Sequence, residues 1–257
     1  STQAKTLFPY TTLFRSMPSE LLIIAARPGC GKTAFSMQWA VHVAMRLKKV
    51  LYVSLEMKNR ELIGRLIGPL ANVDSKIIRT MIADESEIAR IDDAARSFNG
   101  VPLRIWDKSR TTIGHIRGIA KHEAATRGLD ALFVDQLSCI NSDSETRGMP
   151  KHLEVGIYTS QLKSLAKELD IPVVCMSQLN READGQMPKL SNLRESGKVE
   201  EDADAVIFIH NPEPESRDTT QTVNVIIAKN RHGQRGKVNV FWTPSTTTFS
   251  EAAEWTG

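Results

Sequence analysis

An α/β domain with a mostly parallel, twisted sheet between helices is the fold this sequence predicts, and three observations predict it. Short apolar runs alternate with segments of helical periodicity along most of the chain. Those runs are nearly continuous in apolar residues, as strands buried on both faces require. The final runs follow one another without a helical segment between them, which predicts antiparallel strands at the C-terminal edge of the sheet.

Taken in order, ELLIIAA (20–26) reads as a buried strand, followed by a glycine-bearing turn and a helix over 34–47. VLYVS (50–54) is a second strand. Leu62, Ile63, Leu66, Ile67 and Leu70 recur at helical spacing, as do Ile88, Ile91, Ala95 and Phe98. Further strands are expected at PLRIW (102–106), DALFVD (130–135), PVVCMS (172–177), DAVIFIH (204–210), TVNVIIAK (222–229) and KVNVFW (237–242). Val155, Tyr158, Leu162, Leu165 and Leu169 mark one face of a helix between two of them. The polar stretches 141–150 and 211–221 read as mobile loops, and neither is long enough to separate domains.

The 257 residues are 41% hydrophobic and 25% charged, ordinary for one globular domain with a sizeable core. A formal net charge of +3 neither demands nor excludes a nucleic-acid partner, because such binding needs a local basic stripe. Cys30, Cys139 and Cys175 are scattered and odd in number, and the six histidines show no ligand spacing, so neither zinc nor a disulfide framework is expected. No apolar run approaches the roughly 20 residues that span a bilayer. The reading is a cytoplasmic protein with no membrane partner. TLFPYTTLFRS (6–16) resembles a translated sequencing adapter; residues 1–16 are read as an artefactual or disordered tail, with one domain over 17–257. On that reading the natural product extends further upstream.

The strongest chemical signal is ARPGCGKT (26–33), between an expected strand and an expected helix. In a phosphate-binding loop, backbone N–H groups and the helix N-terminus surround a phosphate. Ala26, Pro28, Gly29, Cys30, Gly31, Lys32, Thr33 and Ala34 form this candidate nucleotide site. Lys32 would reach the β- and γ-phosphates, and the Thr33 hydroxyl would bind Mg²⁺. Ala26 stands where the usual G-x-x-x-x-G-K-[ST] has its first glycine, which is tolerable at negative φ. Ligands of such sheets bind at the carboxyl ends of the strands. Asp135, ending DALFVD, therefore fits a Walker B aspartate holding Mg²⁺ through water, with a strand-capping aspartate as the alternative. Glu56, just past the second strand, is either a general base toward the attacking water or a glutamate favoured at a helix start.

Together IIAARPGCGKTAF, VSLEM, LFVDQL, LKSLAKELDIPVV, MSQLNRE, LRESGKVEEDADAVIF and AKNRHGQRGKV resemble, in order, the C-terminal motor domain of DnaB-type replicative helicases. The resemblance runs from Pro18 to about Phe249. It implies a RecA-like P-loop NTPase fold and a 5′–3′ DNA helicase motor that uses ATP and Mg²⁺ at subunit interfaces. It implies that Glu56 is the catalytic glutamate and Gln178 the γ-phosphate sensor. Lys229 and Arg231 match the pair that reaches into the neighbouring subunit's site, a task suited to the planar, permanently charged guanidinium. Arg194, Glu195 and Gly197 match a loop contacting single-stranded DNA, with Arg147 and Lys151 as candidates for a second contact. The implied partners are single-stranded DNA, further copies of the chain in a homo-hexamer, a primase and a helicase loader. Two features depart from the family. Gln136 replaces the tyrosine usual after the Walker B aspartate, and the linker helix and N-terminal domain expected upstream are not recognisable. A recombinase-like ATPase and a non-catalytic nucleotide-dependent interaction module are the alternatives. SQLNRE and the RESG-x-x-EEDAD run argue against the first, and the intact set of site residues against the second.

Overall fold

The computed structural model describes residues 17–183, 185–193, 196–212 and 220–256. The tail over 1–16, Arg194 and Glu195 lie outside the described residues, as does most of the expected loop over 211–221.

The elements follow as β1 (Leu21–Ala26), α1 (Lys32–Ala44), β2 (Val50–Ser54), α2 (Asn59–Ala71), α3 (Ser75–Thr80), α4 (Glu85–Ser97), β3 (Leu103–Trp106), α5 (Ile113–Thr126), β4 (Ala131–Asp135), α6 (Lys151–Leu169), β5 (Val173–Gln178), α7 (Ser196–Asp202), β6 (Ala205–His210), β7 (Gln221–Asn230), β8 (Gly236–Thr243) and β9 (Thr248–Thr256). One sheet takes all the strands in the order β3-β2-β4-β5-β1-β6-β7-β8-β9. Pairing is parallel from β3 through β6 and antiparallel from β6 onward. This is the mixed sheet the sequence predicts, with its change of direction at the C-terminal edge.

Burial explains the strand compositions. β1, β2 and β4 are buried at every position, whereas β7 alternates buried and less buried residues over its first half. One core lies under α1, where Phe35, Trp39, Tyr52 and Phe133 meet the inner faces of β7 and β8. The other lies under α5 and α6, where Val155, Tyr158, Leu162 and Leu165 project as their spacing predicts. A small third cluster joins α2 to α4 through Ile67, Ala71, Val73 and Ala94.

Four elements escape the periodicity reading, among them α7, which is only seven residues long. α3 buries none of its side chains, and α5 buries only Ile113, Ile116, Ala120 and Glu123, so neither writes a strong apolar stripe. β9 mixes alanine and glutamate, both poor strand formers, into its run. The stretch 141–150 is also more ordered than its composition suggests. Asp143 accepts hydrogen bonds from the backbone N–H groups of Glu145 and Thr146, and Lys151 donates to the Ile140 carbonyl at 2.8 Å and to Glu154 at 3.0 Å. The Lys151 side chain itself stays 44% exposed.

His42 on α1 is buried, and burial, with the charge of Arg46 second, pulls its pKa from 6.5 to about 4. Between those values the unfolded chain binds the proton and the folded chain does not, so stability falls as pH drops through that window. Thermal melts stepped from pH 7 to pH 4 should show this fall, and His42→Gln should flatten it.

Candidate nucleotide site

The sheet brings four candidate strand ends to one line. In the contiguous order β2-β4-β5-β1, Ala26 pairs in register with Gln178, and Ser54 with Asp135. The loop after β1, Glu56, the aspartate and the glutamine therefore all leave from the carboxyl edge of adjacent parallel strands, where such sheets bind ligands.

The loop after β1 turns through two left-handed glycines, Gly29 (φ 82°) and Gly31 (φ 80°). Gly31 is the N-cap of α1 and, having no side chain, offers the first turn no side-chain cap. The first backbone N–H groups of α1 are thus presented to the cleft at the positive end of the helix dipole. Lys32 projects across the cleft and donates to the amide oxygen of Gln136. The family tyrosine would stand at this position; here the glutamine amide receives the lysine. Cys30 and Ala34 turn their side chains into the core under α1, and the Cys30 N–H donates to the Arg27 carbonyl at 3.3 Å.

Asp135 is fully buried at the end of β4. The Tyr52 hydroxyl donates to its Oδ2 at 3.3 Å and lies 2.9 Å from Ser36 Oγ, which itself donates to the Thr33 carbonyl at 3.0 Å. Burial first, and the adjoining carboxylate second, push the Tyr52 pKa well above its ordinary value, so the phenol stays protonated and donates. Asp135 Oδ1 is buried without a hydrogen-bonding partner among the described residues. A buried carboxylate with one oxygen fixed and the other unsatisfied fits a hydrated divalent cation shared with the Thr33 hydroxyl.

Glu56 is exposed and lines the cleft opposite the phosphate loop. Its turn is clasped by Ser54, whose hydroxyl donates to the Met57 carbonyl at 2.7 Å and accepts the Met57 N–H at 3.2 Å. The Leu55 N–H donates to the Asp135 carbonyl at 2.7 Å, tying this turn to β4. Gln178 also lines the cleft, whose volume is about 320 Å³.

Lys229 and Arg231 are not among the residues lining this cleft. They stand at the end of β7 and just beyond it, against the C-terminal end of α7. Gly197 lies in the first turn of α7, exposed, with open space where a Cβ would be.

Sequence reasoning missed several cleft residues. Trp242 of β8, Thr247 in the β8–β9 turn and Arg65 of α2 close one side of it. Trp242 packs against Phe249 with ring centroids 4.4 Å apart and planes tilted by 33°, and Phe249 meets Phe35 edge-on at 5.4 Å. Gln38 of α1 clasps the Phe249 backbone through both ends of its amide, at 3.2 and 2.8 Å. Tyr52 was legible only as a core residue, because nothing in VLYVS separates a ring that packs from one that also holds a carboxylate.

Comparisons with known proteins bear on the fold and the family. The model of the DnaB-like helicase C terminal domain matches residues 11–251. Replicative DNA helicase DnaB of Treponema pallidum is 37% identical over 232 residues, covering 90% of this chain and 51% of that protein. A probable plasmid replicative DNA helicase of Chlamydia psittaci is 33% identical over 217 residues, covering 82% and 47%. The chain thus spans about half the length of these curated relatives. Among solved structures, an isolated ATPase domain superposes with a TM-score of 0.83 at 28% identity, covering 93% of this chain and 86% of that one. A DnaB-like replicative helicase, whose structure was described together with its interactions with primase, gives the same TM-score and identity, covering 92% and 58%. With a RecA-like sheet, a phosphate loop and a family model spanning nearly all its length, this chain belongs to the DnaB-like helicase C-terminal domain family.

Proposed function

We propose that residues 17–257 are the ATP-hydrolysing motor of a 5′–3′ replicative DNA helicase, working at the interfaces of a homo-hexamer. The observation that carries this reading is the alignment of four strand ends around one cleft, with two candidate catalytic cations outside it. The loop over Ala26 to Ala34 binds the phosphates through its N–H groups and Lys32. Thr33 and Asp135 hold Mg²⁺, which when bound neutralises charge on the phosphoryl oxygens. Glu56 orients and deprotonates the attacking water, and Gln178 senses the terminal phosphate. Lys229 and Arg231, remote from their own cleft, serve that of the next subunit, which is why the oligomer is required. Arg194, Glu195 and Gly197 contact the backbone of single-stranded DNA. A primase and a helicase loader are the proposed partners, the first suggested by the primase-interacting neighbour, and the cytoplasm the proposed location.

The test is Arg231→Ala in the assembled oligomer. Binding of a fluorescent ATP analogue should be unchanged, while turnover at saturating ATP should fall by about 10³-fold, the low end for loss of such an arginine. Wild-type turnover in this variant would remove Arg231 from the neighbouring site.

A further inference from the structure

The geometry points to Asp204 as the residue that positions Arg231, acting together with the C-terminal carbonyls of α7, so that the trans-acting cations move with the segment carrying Gly197. This rests on the proposed role of Lys229 and Arg231 at a neighbouring nucleotide and adds the device that places them.

Asp204 sits just before β6 and is only 3% exposed. Its Oδ2 accepts the backbone N–H of Leu21 at 2.7 Å and the ammonium of Lys163 at 2.6 Å. Those two contacts already compensate a buried carboxylate, yet its second oxygen faces outward and takes Arg231 Nη1 at 3.3 Å. The Asp204 carbonyl accepts the Arg231 backbone N–H at 2.9 Å. The other guanidinium nitrogen, Nη2, donates to the Glu201 carbonyl at 2.6 Å, and Lys229 Nζ donates to the Glu200 carbonyl at 2.5 Å. These carbonyls close α7, where unsatisfied oxygens and the negative end of the helix dipole attract cations. Arg231 nevertheless keeps 45% of its side chain exposed. The guanidinium is gripped from the inside and left open on the outside, the arrangement expected of a group presented to another molecule.

The same helix begins at the candidate DNA loop. Its seven residues span about 10 Å, so Gly197 and the carbonyls that hold the cations belong to one short rigid rod. That rod packs against α6. Val199 is fully buried, and a Cβ built on Gly156 of α6 would lie 3.1 Å from the Lys198 Cβ, so the two helices approach closely. A shift of α7 caused by DNA at its first turn moves the Glu200 and Glu201 carbonyls with it, and Lys229 and Arg231 follow. Asp204 ties Arg231 to β1 and α6 through Leu21 and Lys163, so that this shift re-aims the guanidinium about a fixed anchor instead of releasing it.

A double-mutant cycle on the assembled oligomer tests this. Asp204→Asn, Arg231→Ala and the pair are compared for ATP turnover with and without saturating single-stranded DNA. Asp204→Asn should lower DNA-stimulated kcat on the order of tenfold, leave the ATP KM unchanged, and bring the stimulation by DNA close to one. In the Arg231→Ala background it should add nothing, because it acts through that side chain. Effects that multiply across the two sites, or a wild-type stimulation ratio in Asp204→Asn, would overturn the proposal. If Arg231→Ala itself leaves turnover intact, the in-trans reading fails first, and this inference with it. Should Asp204→Asn fail to fold, Lys163→Met combined with Asp204→Asn leaves no unpaired buried charge and takes its place in the cycle.

Discussion

Glu56→Gln should reduce ATP turnover by about 10²–10⁴-fold, the usual contribution of a positioned general base, while nucleotide binding stays at the wild-type level. The two effects separate because the residue and the phosphate loop belong to different elements. On the proposed reading, binding rests on the N–H groups at the start of α1 and on Lys32, whereas Glu56 stands in the turn after β2. Glutamine has the same length and shape, and the site is exposed, so no buried charge is lost and no cavity opens. The turn that aims position 56 is held by the Ser54 hydroxyl and by the Leu55–Asp135 backbone bond, which the substitution leaves alone. Turnover within tenfold of wild type would move the base elsewhere. A parallel loss of binding would mean that Glu56 organises the cleft instead of acting on water.

The second large effect is on stability. Gly31→Ala should destabilise the chain by roughly 2–5 kcal/mol, adding about 1–2 for a left-handed alanine to 1–3 for an overpacked contact. Gly31 has a φ of 80°, and a Cβ there would lie 2.7 Å from Cζ of Phe249 and 3.3 Å from Cη2 of Trp242. Phe249 cannot swing aside, because Phe35 and Trp242 flank its ring and Gln38 clasps its backbone. At about 2–4 °C per kcal/mol for a chain of this size, the melting temperature should fall by roughly 4–20 °C. Gly29→Ala is the control. Its φ is 82°, but nothing lies within 4 Å of the built Cβ, so it carries backbone strain alone. Equal melting temperatures for the two variants would show that the ring contact contributes nothing.

Much of this was legible in the sequence, and what was not has physical reasons. Strands buried on both faces write unbroken apolar runs, so β1, β2, β4, β5 and β6 fall where their residues place them. The phosphate loop is local, and its strand–glycine–lysine–helix order survives in one dimension. α1 begins at Lys32, two residues before the apolar pattern starts, because a glycine cap sets the helix start. Contacts that join distant segments leave no local trace. Trp242 and Thr247 reach the cleft from the opposite end of the chain, and no spacing links them to Lys32. Tyr52 reads as core, and it is core; its hydroxyl at Asp135 depends on the register of β2 against β4. Asp204 opens the expected strand DAVIFIH at the end of an acidic run, and no spacing there points to the Leu21, Lys163 and Arg231 found around it.

The position of β1 has a consequence for how such a chain comes into being. β1 precedes every other described strand, yet it pairs only with β5 and β6, which are made much later. During synthesis the glycine turn emerges early and waits, without the neighbours that hold its strand in place, until the ribosome has delivered more than half of the domain. The nascent chain thus carries its most distinctive nucleotide-binding signature long before it can bind a nucleotide. Closing so distant a pairing is intrinsically slow, and the apolar LLIIAA run stays exposed throughout, which makes it a natural segment for a chaperone to shield.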